Sequence, residues 1–116
     1  MKPMTDTCLF CRIARKEIPA TIVFEDESVV AFRDIDAKAP THVLIIPRTH
    51  VASLDEATDA QMLGSLQLVA AAIARKEGIS AGGYRTVMNS GADAGQTVFH
   101  VHLHLLGGRR LAWPPG

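Results

Sequence analysis

His100, His102 and His104 alternate with Val101, Leu103 and Leu105, and this short run is where the chain can do chemistry. An extended strand sends successive side chains to opposite faces, so the three imidazoles are expected on one face and the aliphatic residues in a core. Along that face the imidazoles would stand about 7 Å apart. Such spacing suits groups gathered around a small anion, and it is also compatible with a metal. Neutral ring nitrogens can converge on zinc at about 2.0–2.1 Å, with a position left open for water. Alternatively, one imidazole attacks phosphorus while its neighbours donate protons or stabilise charge. Both protonation states of histidine lie within reach near neutral pH. Periodicity leaves the two routes open.

Other residues offer supporting chemistry. Cys8 and Cys11 form a Cys-x-x-Cys pair, a pattern that in a cytosolic protein argues for metal or redox chemistry over a structural disulfide. Ahead of the histidines, Ser90 to Thr97 is a polar, glycine-bearing turn. Asn89 and Thr97 supply uncharged donors such as a phosphate pocket needs, and Gly95 lets backbone N–H groups approach an anion. Without the histidines, the same turn reads as an ordinary hairpin loop. Formal net charge is zero, so nothing in the balance marks nucleic acid or an anionic membrane as a partner. No apolar run approaches the roughly 18 residues of a membrane span, and no signal-peptide core opens the chain. The expectation is a soluble, cytoplasmic protein, its 116 residues forming a single domain over 1–116.

The elements that must position these groups follow from local signals. Asp6 or Thr7 is placed to cap a helix over residues 8–16, ended by Ile18-Pro19. Thr21–Glu25 and Val29–Ile35 read as a hairpin around Asp26-Glu27. His42–Ile46 is a near-continuous apolar run, fitting a strand buried on both faces and stopped by Pro47. Thr58-x-x-Gln61 has the form of a capping box, and Met62, Leu66, Val69 and Ile73 follow at helical spacing, widened by Leu63 and Ala70. Arg75, Lys76 and Gly78 suit the end of that helix. Leu68 and the helix alanines form a second, weakly apolar side, which suits either packing or a helix–helix contact. Tyr84–Asn89 is a further strand, expected antiparallel to the histidine strand. The sum is an α+β fold: an antiparallel sheet of about five strands, one long helix and a short N-terminal helix.

His100-Val101-His102-Leu103-His104-Leu105-Leu106 matches the histidine triad (HIT) motif at every position. The likeness extends through Ile13–Ala20, Ala39-Pro40-Thr41-His42, Ile46-Pro47-Arg48-Thr49-His50, Asn89-Ser90-Gly91, Gly95–Val98 and Trp113-Pro114-Pro115-Gly116. The chain therefore resembles the HIT superfamily, and within it the HINT branch of nucleotide-binding proteins. The resemblance implies hydrolysis of purine nucleoside 5′-phosphoramidates at the α-phosphorus. By position, His102 is the nucleophile that becomes nucleotidylated, His104 contacts the phosphate and aids the leaving group, and His100 supports the nucleophile. His42 matches a further active-site position, although a strand-end histidine bonded to backbone would look the same. The transferase branch carries Gln at the third histidine, so His104 favours hydrolysis. Asn89, Gly95 and Thr97 match the phosphate-side residues, with Thr97 standing where the family has Ser. Asp34 and Ile35 match the ribose and base contacts, and Phe10, Ile13 and Ile18 would sandwich a purine, though alone they read as core.

Cys8 and Cys11 depart from the animal HINT proteins, which lack the pair. Other superfamily members bind zinc through two such cysteines, a later histidine and the first triad histidine. Carried over, the ligands are Cys8, Cys11, His50 and His100, a closed set that reads as structural. A thioredoxin-like pair fits less well, because that motif opens a helix within a βαβ unit. Two buried thiols are the bland alternative. No catalytic cofactor is implied, and a homodimer is. Three other readings stand beside phosphoramidate hydrolysis: a dinucleoside polyphosphate hydrolase, a metalloenzyme using His100, His102 and His104, and a non-catalytic nucleotide-binding module.

Overall fold

The computed structural model describes residues 7–116, so the expectation for Asp6 lies outside the described residues. The first helix is Leu9–Ala14 (α1), shorter than the expected 8–16. Thr7 is not its cap; Cys8 is, its Sγ accepting from the Cys11 N–H at 3.4 Å. The helix ends early because Lys16 turns to φ +63°, and Arg48 Nη1 donates to the Ala14 carbonyl at 3.1 Å.

The hairpin forms as Ile22–Glu25 (β1) and Val29–Arg33 (β2). Asp26 makes its turn, one carboxylate oxygen accepting from the N–H groups of Ser28 and Val29 at 2.8 Å. Asp34 and Ile35 fall outside β2, since the Asp34 carboxylate accepts from the Asp36 N–H and bends the chain. The central strand is Thr41–Pro47 (β3), buried at every residue. Pro47 belongs to it and pairs with Val29, where a stop was expected. The long helix is Ala60–Lys76 (α2), and Gly78 closes it with φ +77°. Tyr84–Val87 (β4) and Leu103–Gly107 (β5) complete an antiparallel sheet of order β1-β2-β3-β5-β4. The expected α+β architecture is present. Among the described residues no helix is long and apolar enough to cross a membrane.

Two layers cover the sheet, and strand alternation sorts residues between them. Val43, Ile45, Leu103 and Leu105 pack with Leu66, Ala70 and Ile73 of α2. Val30, Phe32, Leu44 and Ile46 pack with Phe10 and Ile13 of α1. Each such aliphatic or aromatic side chain contributes about 1.5–3 kcal/mol by leaving water. His42 and His104 sit on the α1 face by the same alternation. A Cβ at Gly107 would lie 2.6 Å from Ile79 Cδ1, so the Ile79 side chain would have to shift to admit one. Leu68 of α2 is exposed at 73%.

The expected capping box does not form, and the cap lies one residue later. Asp59, not Thr58, caps α2, its carboxylate accepting from the Met62 N–H at 3.1 Å. Asp59→Ala should therefore cost about 1 kcal/mol of unfolding free energy in denaturant titration. Thr58→Ala should cost far less; equal losses would contradict this assignment.

Candidate active site

The histidine run is not one continuous strand. β5 begins at Leu103, and residues 99–102 lie outside the ladder. The Val101 N–H donates instead to the Val51 carbonyl at 2.6 Å. The expected single face therefore splits: His102 and His104 stay together, with ring centroids 5.0 Å apart, while His100 turns into the protein.

Hydrogen-bond partners assign the tautomers of the paired rings. His102 Nδ1 lies 2.8 Å from the His100 carbonyl oxygen, which can only accept. The proton is thus on Nδ1, and Nε2 of His102 keeps its lone pair. Phe10 of α1 stands against this ring at 5.0 Å and 90°. At His42, Nδ1 accepts from the Lys38 N–H at 3.0 Å, so the neutral ring is protonated on Nε2. That N–H faces His104 Nδ1 at 2.9 Å and Asp34 Oδ2 at 3.3 Å. His104 accepts through Nδ1 and carries its own proton on Nε2. The two neighbouring imidazoles therefore have opposite tautomers, one a lone-pair donor and one an N–H donor.

Burial keeps these rings neutral. It pushes His104 down to about 4, helped by the adjacent His102 and His42. His102 and His42 are lowered by the same cause, with the Asp34 carboxylate working in the opposite direction.

His100 belongs to a second cluster. Its Nε2–H donates to the Pro47 carbonyl at 2.8 Å, which leaves the Nδ1 lone pair for other partners. Nδ1 lies 3.4 Å from Cys8 Sγ, 3.4 Å from Cys11 Sγ and 3.3 Å from His50 Nδ1. Cys11 Sγ is 3.5 Å from His50 Nδ1. A tetrahedron with metal bonds of about 2.0–2.3 Å has edges of roughly 3.3–3.8 Å, so these four donors fit one zinc ion. Among the described residues a second convergent set is Asp34, His42 and His104. The three triad histidines are not such a set, which removes the geometric basis for a metalloenzyme built on them.

A cavity of about 700 Å³ opens on the α1 face. His102, His104 and His42 line it, together with Asn89, Gly95 and Thr97. Phe10, Ile13 and Ile18 form its apolar wall, and Asp34 and Ile35 its rim. Ile35 is fully exposed there, while Phe10 and Ile13 are also core. Gly95 adopts the left-handed φ of +95°. His100 alone among the expected catalytic group does not reach this cavity. Two contributors were not singled out from sequence. Gln96, 4% exposed, accepts from the Gly91 N–H and donates to the Ala52 and Val98 carbonyls, bracing the turn ahead of the histidine run. Lys38 acts through its backbone N–H on His42. Gln96 has the signal of a polar residue directly after the turn glycine Gly95; the Lys38 contact depends on backbone conformation and has none.

Residues 15–111 match the HIT domain family. The chain belongs to that family. A purine nucleoside phosphoramidase of Escherichia coli is 48% identical over 110 residues, covering 93% of this chain and 92% of the relative. A 14 kDa zinc-binding protein of Zea mays is 50% identical over 113 residues, covering 93% and 87%. The crystal structure of a HIT family hydrolase from Legionella pneumophila aligns with a TM-score of 0.93 at 52% identity, over 95% of this chain and 100% of that one. HIT-fold neighbours thus share the five-stranded sheet and main helix described above.

The lowered pKa of His104 has a consequence for stability. Unfolded, the ring takes a proton near pH 6.5; folded, only near 4. Its contribution is therefore complete above about pH 6.5 and lost as pH falls toward about 4. Unfolding free energy measured from about pH 7.5 to 5 should fall less steeply in His104→Asn than in the wild type. Equal slopes would contradict the burial argument.

Proposed function

We propose that this chain is a hydrolase that cleaves the P–N bond of adenosine or guanosine 5′-phosphoramidates through a nucleotidyl-histidine intermediate. The observation that carries the reading is the pair of opposite tautomers on His102 and His104, both lining the cavity. His102 Nε2 attacks the α-phosphorus and the P–N bond breaks; His104, protonated once the anionic phosphate of the substrate lies against it, gives its Nε2 proton to the departing amine and returns to the neutral ring. His102 then carries a positive charge, which its Nδ1–H shares with the His100 carbonyl at 2.8 Å. Water attacks the same phosphorus, His104 takes the water proton, and the bond to His102 breaks, restoring both rings. Asn89, Thr97 and the backbone at Gly95 receive the phosphate oxygens. Asp34 accepts from the ribose hydroxyls beside Ile35, and Phe10, Ile13 and Ile18 enclose the base. The extra methyl of Thr97 narrows the leaving-group side. His42 acts on His104, holding its acceptor nitrogen away from substrate.

Cys8, Cys11, His50 and His100 are proposed to hold zinc. When bound, the ion supplies a cross-link between α1 and the segment before β5 and takes no part at phosphorus. The maize relative named for zinc binding supports this reading. A homodimer is proposed from the resemblance and from the exposed Leu68 on α2; sedimentation giving a monomer mass at micromolar concentration would refute it.

Kinetics on adenosine 5′-phosphoramidate test the mechanism. His102→Ala should lower kcat by more than about a thousandfold while AMP affinity changes little. His104→Asn should cost about 10²–10⁴-fold with an alkylamine leaving group and much less with an aryl ester of AMP, which needs no proton. Turnover surviving in His102→Ala would overturn the nucleophile assignment. Protein purified without a metal-affinity tag should carry about one zinc per chain, given a closed four-ligand set. Less than about a tenth of an equivalent would overturn the zinc assignment.

A further inference from the structure

The two cysteines lie on a physical path to His102. Cys8 caps α1 and Cys11 sits within it, while Phe10 between them packs on His102 at 5.0 Å. From the same cluster, His100 passes its position to His102 through the 2.8 Å carbonyl contact. Displacing the sulfurs therefore disturbs both contacts that orient His102. The cluster is also reachable. Cys8 and His50 are half-buried and border a groove of about 450 Å³ that also meets Thr97, Val98 and Phe99. Cys11 and His100 are fully buried behind them. A small oxidant thus meets Cys8 first, with Cys11 Sγ within 4.8 Å of Cys8 Sγ to resolve the product.

We infer that Cys8 is a peroxide-modification site whose oxidation switches off the proposed nucleophile. The Cys8 thiolate attacks hydrogen peroxide, the O–O bond breaks, and a sulfenic acid and hydroxide form. The Cys11 thiolate then attacks the Cys8 sulfur, an S–S bond forms, and a second hydroxide leaves. The two sulfurs lose two electrons, the peroxide gains two, and two protons convert the hydroxides to water. A metal held by the cluster loses both thiolate ligands and leaves unoxidised. A disulfide needs its sulfurs about 2.05 Å apart, so Cys8 and Cys11 must leave their cluster positions. The role is regulatory and differs from thiol–disulfide exchange on other proteins, for which the groove offers no strand-to-helix motif.

The inference rests on the reading of His102 as nucleophile, and the test separates the two. Zinc-loaded full-length protein is treated with hydrogen peroxide. Intact mass, zinc release, the hydrogen-bonded Nδ1–H proton resonance of His102, and adenosine phosphoramidate turnover are followed together. Expected are a mass loss of about 2 Da, release of the zinc, disappearance of that resonance, and a drop in kcat of about tenfold or more. Dithiothreitol with added zinc should restore all four. Loss of the resonance with turnover unchanged would support the coupling of Cys8 oxidation to His102 and refute His102 as the nucleophile. A disulfide with an unchanged resonance would overturn the switch, as would cysteines left reduced or oxidised singly without an S–S bond.

Discussion

The hydrogen bond from His102 Nδ1 to the His100 carbonyl, 2.8 Å long and buried, is the contact on which the site depends. It decides which nitrogen of His102 keeps a lone pair, and hence which atom is available for the proposed attack. Breaking it would strand a buried donor or acceptor, at about 1–3 kcal/mol, so the ring has little alternative. The constraint reaches backward, because the carbonyl is only as well placed as the backbone at residue 100. That backbone is fixed by the ring it carries, through Pro47 on one nitrogen and the Cys8, Cys11 and His50 cluster on the other. The neighbouring amide of Val101 is held to Val51. A group that never meets the cavity thus sets the chemistry of one that does.

The second constraint comes from the sheet. β3 is buried on both sides, and the alternation that sends Val43 and Ile45 toward α2 sends His42 and Leu44 toward α1. His104 faces the same way from β5, paired across the ladder with Leu44 and Val87. Placing His42 and His104 on adjacent strands makes their 2.9 Å contact a matter of register, which is rigid where both faces are covered. The Lys38 amide, pinned in the loop before β3, chooses the tautomer of His42 and so that of His104. One backbone N–H and one backbone carbonyl therefore dictate opposite protonation patterns on two neighbouring rings.

Much of this was legible in the residues themselves. The apolar run of β3, the helical stripe of α2 and the turn residues near Asp26 each carry a local physical signal, and the elements form where those signals lie. Motif spacing brought His102, His104, Asn89, Thr97 and the apolar wall together in expectation, and one cavity holds them. What was not legible is the break between His102 and Leu103. Period two is identical on both sides of it, and contacts made by distant segments, with Val51, Pro47 and the Cys8, Cys11 and His50 cluster, hold His100 off the ladder. Cap positions failed for a similar reason. Cys8 and Asp59 win over Thr7 and Thr58 by backbone direction, which composition does not reveal.

His102 is proposed to form a covalent bond to phosphorus. Mass spectrometry of enzyme quenched in acetonitrile during turnover of adenosine 5′-phosphoramidate tests it most directly. The expected result is a nucleotidyl group on the peptide bearing His102, increased when a substitution such as His104→Asn slows attack by water. Steady turnover with no adduct on that peptide, in the wild type and in the slowed variant, would contradict it.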